Sequence, residues 1–205
     1  MTLEEFFKLN PNPDQAADWA VKNLQYFEGD GLEKRMSKQL ETDPDLAKTW
    51  ANELIGGKSA VCSHFAALPV VAARKGGAPS GMVYAKKKGS EYGHTWGWWM
   101  RPDGSVRTVS VPEKGKSEIG SYESFDDLYK TFSESRYSEG NEVYFQDATG
   151  NFMISPKEET DYFNLATQQV RSFLGDIPKK KGGAITEAED ERFKSTIFKN
   201  LQGGS

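Results

Sequence analysis

The chain has 205 residues, 37% of them hydrophobic, with one cysteine and a formal net charge of −4. That length suits one domain with a sizeable core; the single thiol excludes an internal disulfide framework, and no apolar run nears the ~20 residues that span a bilayer. The acidic balance, without basic residues interleaved with aromatics, excludes a nucleic-acid footprint, although residues 62–118 alone carry nine basic and four acidic groups.

In chain order the first third reads as helical. The acidic start, "MTLEEFFKLNPNPDQ", has neither a basic region nor an apolar run, so no Sec leader is expected and a cytoplasmic location fits best, with delivery by a signal-less route left open. Residues 13–27 carry Ala16, Trp19, Ala20, Leu24 and Phe27 at helical spacing, and a shorter helix is expected at 31–41. In "TDPDLAKTWANELIGG", Thr42 or Asp43 caps a further helix, Pro44 lies in its first turn and Gly56 stops it.

From Ser59 to Arg74 a run of small apolar residues predicts a buried helix, which Pro69 should kink or shorten. The period then changes to two. "GMVYAKKK", "YGHTWGWWM" and "SVRTVSV" predict strands, the last two joined by a hairpin at Asp103-Gly104. On this alternation Trp96 and Trp98 share the face of His94 and Trp99 takes the other, with packing the expected role of the rings.

A helix at 124–135 capped by Ser124 follows, then strands "NEVYFQD" and "NFMIS" around Thr149-Gly150. Ser155 to Glu158 forms a capping box opening a helix to about Leu174. "GDIPKKKGG" reads as a linker to an amphipathic terminal helix with Ile185, Phe193, Ile197 and Phe198, a candidate contact for a protein partner. The expectation is an α+β fold: one domain over 1–178, comprising N-terminal helices (1–57), a core (58–155) and helix 156–174, followed by linker and terminal helix (179–205).

The candidate chemistry begins at Cys62, where a loop enters the small-residue helix. A thiol there feels unsatisfied N–H groups and the positive end of the helix dipole, which favour the thiolate; against this, free cysteines are commonly buried and inert. An imidazolium would lower the pKa further, and the partner in view is His94, at the start of a strand. His64 points away from Cys62 on the helix wheel and reads as a packing position. One cysteine and two histidines without clustered carboxylates make no metal site, and no cofactor is expected.

Cys62 with Phe65-Ala66-Ala67-Leu68, then Gly77-Ala78-Pro79 leading into Met82-Val83, then His94-Thr95-Trp96, resembles the core of transglutaminase-like cysteine enzymes of papain-like architecture. The resemblance covers about residues 58–113. It implies Cys62 as nucleophile, His94 as general base and acid, an acyl-thioester intermediate, and a protein or peptide substrate. Water as acceptor gives a peptidase or deamidase, and an amine gives a cross-linking transfer. The oxyanion would meet the Cys62 N–H and a second donor, for which Asn52 and Trp50 are candidates.

The family's third residue, an Asp, falls near Ser110, which carries no carboxylate. With Asp103 and Gly104 as a two-residue loop, His94 would face Glu113 and Ser110 would take the opposite face, so Glu113 is the expected orienting group. Asp103, the other carboxylate, has a sufficient role in the turn. Two rivals stand beside this reading: a non-catalytic binding or structural protein on the same fold, and a peptidoglycan amidase of the other papain-like kind.

Overall fold

A computed structural model describes residues 1–27, 54–90, 93–134, 140–146 and Val170. The helix expected at 31–41, the one from Thr42 apart from its helical end at 54–56, the strand "NFMIS", the helix expected at 156–174 apart from Val170, the linker and the terminal helix lie outside the described residues, as do Trp50 and Asn52.

The chain opens with α1 (Leu3–Lys8), a short helix that the sequence reading did not single out. Thr2 accepts from the Glu5 N–H while Glu5 reaches back to the Thr2 N–H, a closed capping box. The same device sets α2 (Pro13–Asn23), where Asn12 and Gln15 cap each other and Pro13 occupies the first turn. At Leu24 the backbone turns extended, and β1 (Gln25–Tyr26) pairs in parallel with β2 (Ser59–Ala60).

The small-residue run forms α3 (Cys62–Lys75), whose first twelve residues are all buried. The expected shortening at Pro69 does not occur; the helix continues past it to Lys75. Beyond Gly77, whose φ of 78° suits glycine, the chain enters the sheet. Five antiparallel strands follow: β3 (Ser80–Lys87), β4 (Gly93–Met100), β5 (Val106–Glu113), β6 (Lys116–Tyr122) and β7 (Asn141–Phe145), in spatial order β6-β5-β4-β3-β7. α4 (Phe125–Glu134) lies between β6 and β7 in the chain, with Ser124 Oγ accepting from the Asp127 N–H at 3.2 Å. This is an α+β fold with an antiparallel sheet. No helix among the described residues is long and apolar enough to cross a membrane.

The period-two pattern sorts the side chains into two cores. Met82, Trp99, Val109 and Val111 face the α1–α2–α3 layer, together with Leu68, Val71 and the helical, fully buried Val170. Val83, Trp96, Trp98 and Val106 face α4, where Leu128 and Phe132 meet them. All three tryptophans of β4 are packed, at 7%, 1% and 1% exposure for Trp96, Trp98 and Trp99. Gly97 explains how close α3 can come: a Cβ there would collide with the Ala66 carbonyl oxygen.

The β4–β5 hairpin has a register one residue away from the expected one. Arg101 donates to the Ser105 carbonyl at 2.8 Å and Gly104 to the Arg101 carbonyl at 2.9 Å, while Gly104 has φ 85°. The loop is therefore Pro102-Asp103-Gly104, three residues ending in a left-handed glycine, not the two-residue turn. Met100 pairs with Val106 and Gly97 with Val109. Continued along the strands, this register sets Ser110 opposite Trp96, on the His94 face.

Candidate active site

α3 presents Cys62 at its first turn, buried at 4% exposure. His64, fully buried two residues on, accepts the Val61 N–H through Nδ1 at 3.3 Å. It thus satisfies a backbone donor at the helix N-terminus, the place where α-helices leave such groups unpaired. Its position is structural.

His94 is the second residue of β4 and pairs with Ala85 of β3. Its Nε2 is hydrogen-bonded to Ser110 Oγ. The Ser110 hydroxyl also donates to the Thr95 carbonyl at 2.9 Å. A hydroxyl has one proton, so Ser110 gives it to Thr95 and accepts from His94 Nε2–H. That assigns the Nε2–H tautomer and leaves the lone pair on Nδ1. Burial lowers the His94 pKa from 6.5 to about 4, so the ring is neutral at pH 7. Its edge meets the Trp96 ring, centroids 4.4 Å apart at 83°.

Glu113 does not orient this imidazole. It ends β5 with a side chain 56% exposed and ion-paired to Lys116 across the β5–β6 turn. The three-residue loop shifts the register by one, and the ladder itself is irregular between Ser110 and Glu113. A single step of register exchanges the two faces of a strand, so the expected positions of Glu113 and Ser110 are corrected together. Asp103 keeps its turn role, accepting from the Ser105 N–H at 3.0 Å and the Ser105 hydroxyl at 2.6 Å.

The carboxylate that does share this face belongs to Glu118 of β6, which pairs with Ser110 and accepts the Trp96 indole N–H at 3.2 Å. The sequence reading missed it because β6 itself was not foreseen. Its signal was faint: "KSEIGSY" is exposed along most of its length. A strand so little buried shows little of the hydrophobic alternation that marks one.

Cys62 and His94 are set on different sides of the sheet. α3 lies on the face of Met82, Gly97 and Val111, whereas His94 shares the α4 face with Trp96 and Ser110. The imidazole's hydrogen bond goes to Ser110, not to the thiol. Among the described residues no group of three or more His, Cys, Asp or Glu side chains is placed to hold a metal ion.

Comparison with known protein families, curated proteins and solved structures found no match to this chain.

Proposed function

We propose that this chain is a non-catalytic binding or structural protein, with Cys62 and His94 serving the two cores separately. The observation that carries this reading is the bond from His94 to Ser110 on the face opposite α3. A thiol–imidazole pair needs nucleophile and base within hydrogen-bond reach and an imidazole able to take the proton. Here the proton affinity of His94 is lowered by burial, and its neighbour Ser110 supplies no charge to hold an imidazolium. The single thiol suits a reducing compartment such as the cytoplasm.

A second reading keeps the transglutaminase-like, papain-like thiol enzyme acting on a protein or peptide amide. Two observations favour it. Cys62 opens a helix, and Ser110, near the family's third position, holds His94 by Nε2 and leaves Nδ1 available as a base. Catalysis would then require Cys62 to reach Nδ1 around the end of β4.

Iodoacetamide labelling of Cys62 against pH separates the two. The binding reading expects an ordinary thiol curve with a midpoint near ~8.5 or higher, or labelling only on denaturation, unchanged by His94→Ala. A midpoint near ~6 that His94→Ala abolishes overturns it and establishes the thiol enzyme.

A further inference from the structure

On one side the sheet ends in a strand that little covers. Among the described residues β6 is the outermost strand there, paired with β5 alone. Lys116 to Ile119 and Ser121 are exposed. Ile119, at 48%, is the one exposed large apolar side chain of any described strand, although it stands beside Val109 at 1%. The helical layer that buries Val109 therefore stops short of the edge.

The register shows which backbone groups this edge offers. The Arg101 N–H binds the Ser105 carbonyl, so Ser105, Arg107 and Val109 direct their N–H and C=O groups to β4. The alternate residues Val106, Thr108 and Ser110 then direct theirs to β6, where they meet Tyr122, Gly120 and Glu118. By the same alternation Ser117, Ile119 and Ser121 turn theirs outward, along about 17 Å of strand. Such a row is a template for another strand, and proteins that stay apart blunt it with charge, proline or a bulge. Here those devices sit only at the turn: Lys116 is tied to Glu113, and the ladder is irregular between Ser110 and Glu113. The charge within the row, Glu118, is drawn inward to the Trp96 indole N–H at 3.2 Å.

We propose that β6 pairs antiparallel with β6 of a second copy of this chain, about a two-fold axis at Ile119. Ser117 then meets Ser121 and Ile119 meets Ile119, outward groups on both strands, giving about six backbone hydrogen bonds. The two Ile119 side chains lie side by side and cover each other. Charge selects this orientation. The β5–β6 turn carries Lys114 and Lys116, whereas Glu123, Asp126 and Asp127 follow the other end of the strand, all of them exposed. Antiparallel pairing sets basic end against acidic end, and parallel pairing would set the acidic clusters together. A two-fold contact uses the same patch on both copies, so the assembly closes as a dimer. The surface involves neither Cys62 nor His94 and stands whichever reading of those residues holds.

The test is sedimentation equilibrium of the full chain from about 1 to 500 µM, with amide hydrogen exchange at Ile119 and Ser121 followed at both ends of that range. Two short edges bury little area, so the expected product is a dimer that dissociates at about 10–100 µM. The Ile119 and Ser121 amides should exchange about fivefold more slowly at the high concentration. Ile119→Lys opposes two ammonium groups at the axis, and Ser121→Pro removes an outward N–H without touching the β5 ladder. Each should weaken the dimer about tenfold or more. Should Ser121→Pro fail to fold, Ile119→Lys, at an exposed position, still decides. A chain that stays monomeric throughout overturns the proposal and leaves the edge to a strand of another protein. It is equally overturned by unchanged dimer affinity in folded Ile119→Lys, or by a dimer whose Ile119 amide gains no protection.

Discussion

Ser110 accepts the Nε2 proton of His94 while passing its own hydroxyl proton to the Thr95 carbonyl. One buried hydroxyl thereby joins a side chain of β4 to the backbone of the same strand from across the β4–β5 pair. The bond is neutral, so it fixes the tautomer of the imidazole without stabilising its charged form.

Ser110→Ala should cost about 1 kcal/mol in urea unfolding, because it removes the acceptor of a partly buried donor on His94. The His94 ring should also lose its single tautomer. Nitrogen shifts of the imidazole, measured in both proteins above pH 7, check this; an unchanged Nε2–H tautomer in the variant would contradict the assignment.

Stability should fall in mild acid. The folded His94 pKa of about 4 lies below its ordinary 6.5, so between these values the unfolded chain binds more protons than the folded one. The stabilising contribution is complete above about pH 6.5, declines as pH drops, and is lost below about pH 4, amounting to about 3 kcal/mol over the window. Urea midpoints between pH 7.5 and 4.5 should show this slope in the native chain and a flatter one in His94→Gln.

Gly97→Ala should be among the most damaging small substitutions in the chain. The added methyl meets the Ala66 backbone carbonyl, which cannot rotate away as a side chain could. A loss of about 3 kcal/mol or more, at the upper end for overpacking, is expected from equilibrium unfolding. Gly104→Ala meets no atom within 4 Å and should cost only the strain of its φ of 85°, about 1 kcal/mol.

Glu113→Gln should leave both the urea midpoint and the pH profile of Cys62 labelling unchanged, since its carboxylate meets Lys116 in solvent. A loss of low-pH thiol reactivity in this variant would restore Glu113 to the imidazole's side and refute the observed register.

Much of this architecture is legible in local sequence, because it depends on local periodicity and local capping. Alternation in "GHTWGWW" is enough to send Trp96 and Trp98 one way and Trp99 the other. The small-residue run makes α3, and Ser124 marks the start of α4, since helix ends are signalled by residues that satisfy their orphan N–H groups. What local sequence leaves open is any quantity set by two distant segments at once. Asp103-Gly104 signals a tight turn, but two-residue and three-residue loops both accept it, and the choice follows from which side chains each face of β5 can bury. That choice moved Glu113 into solvent and Ser110 onto His94. β6 exists through its pairing with β5, since its own residues bury too little to announce a strand. Which face of the sheet receives α3 is likewise decided by Gly97 meeting Ala66, a close approach between residues 31 positions apart. Tertiary packing, rather than the spacing of Cys62 and His94, therefore determined which groups share a site.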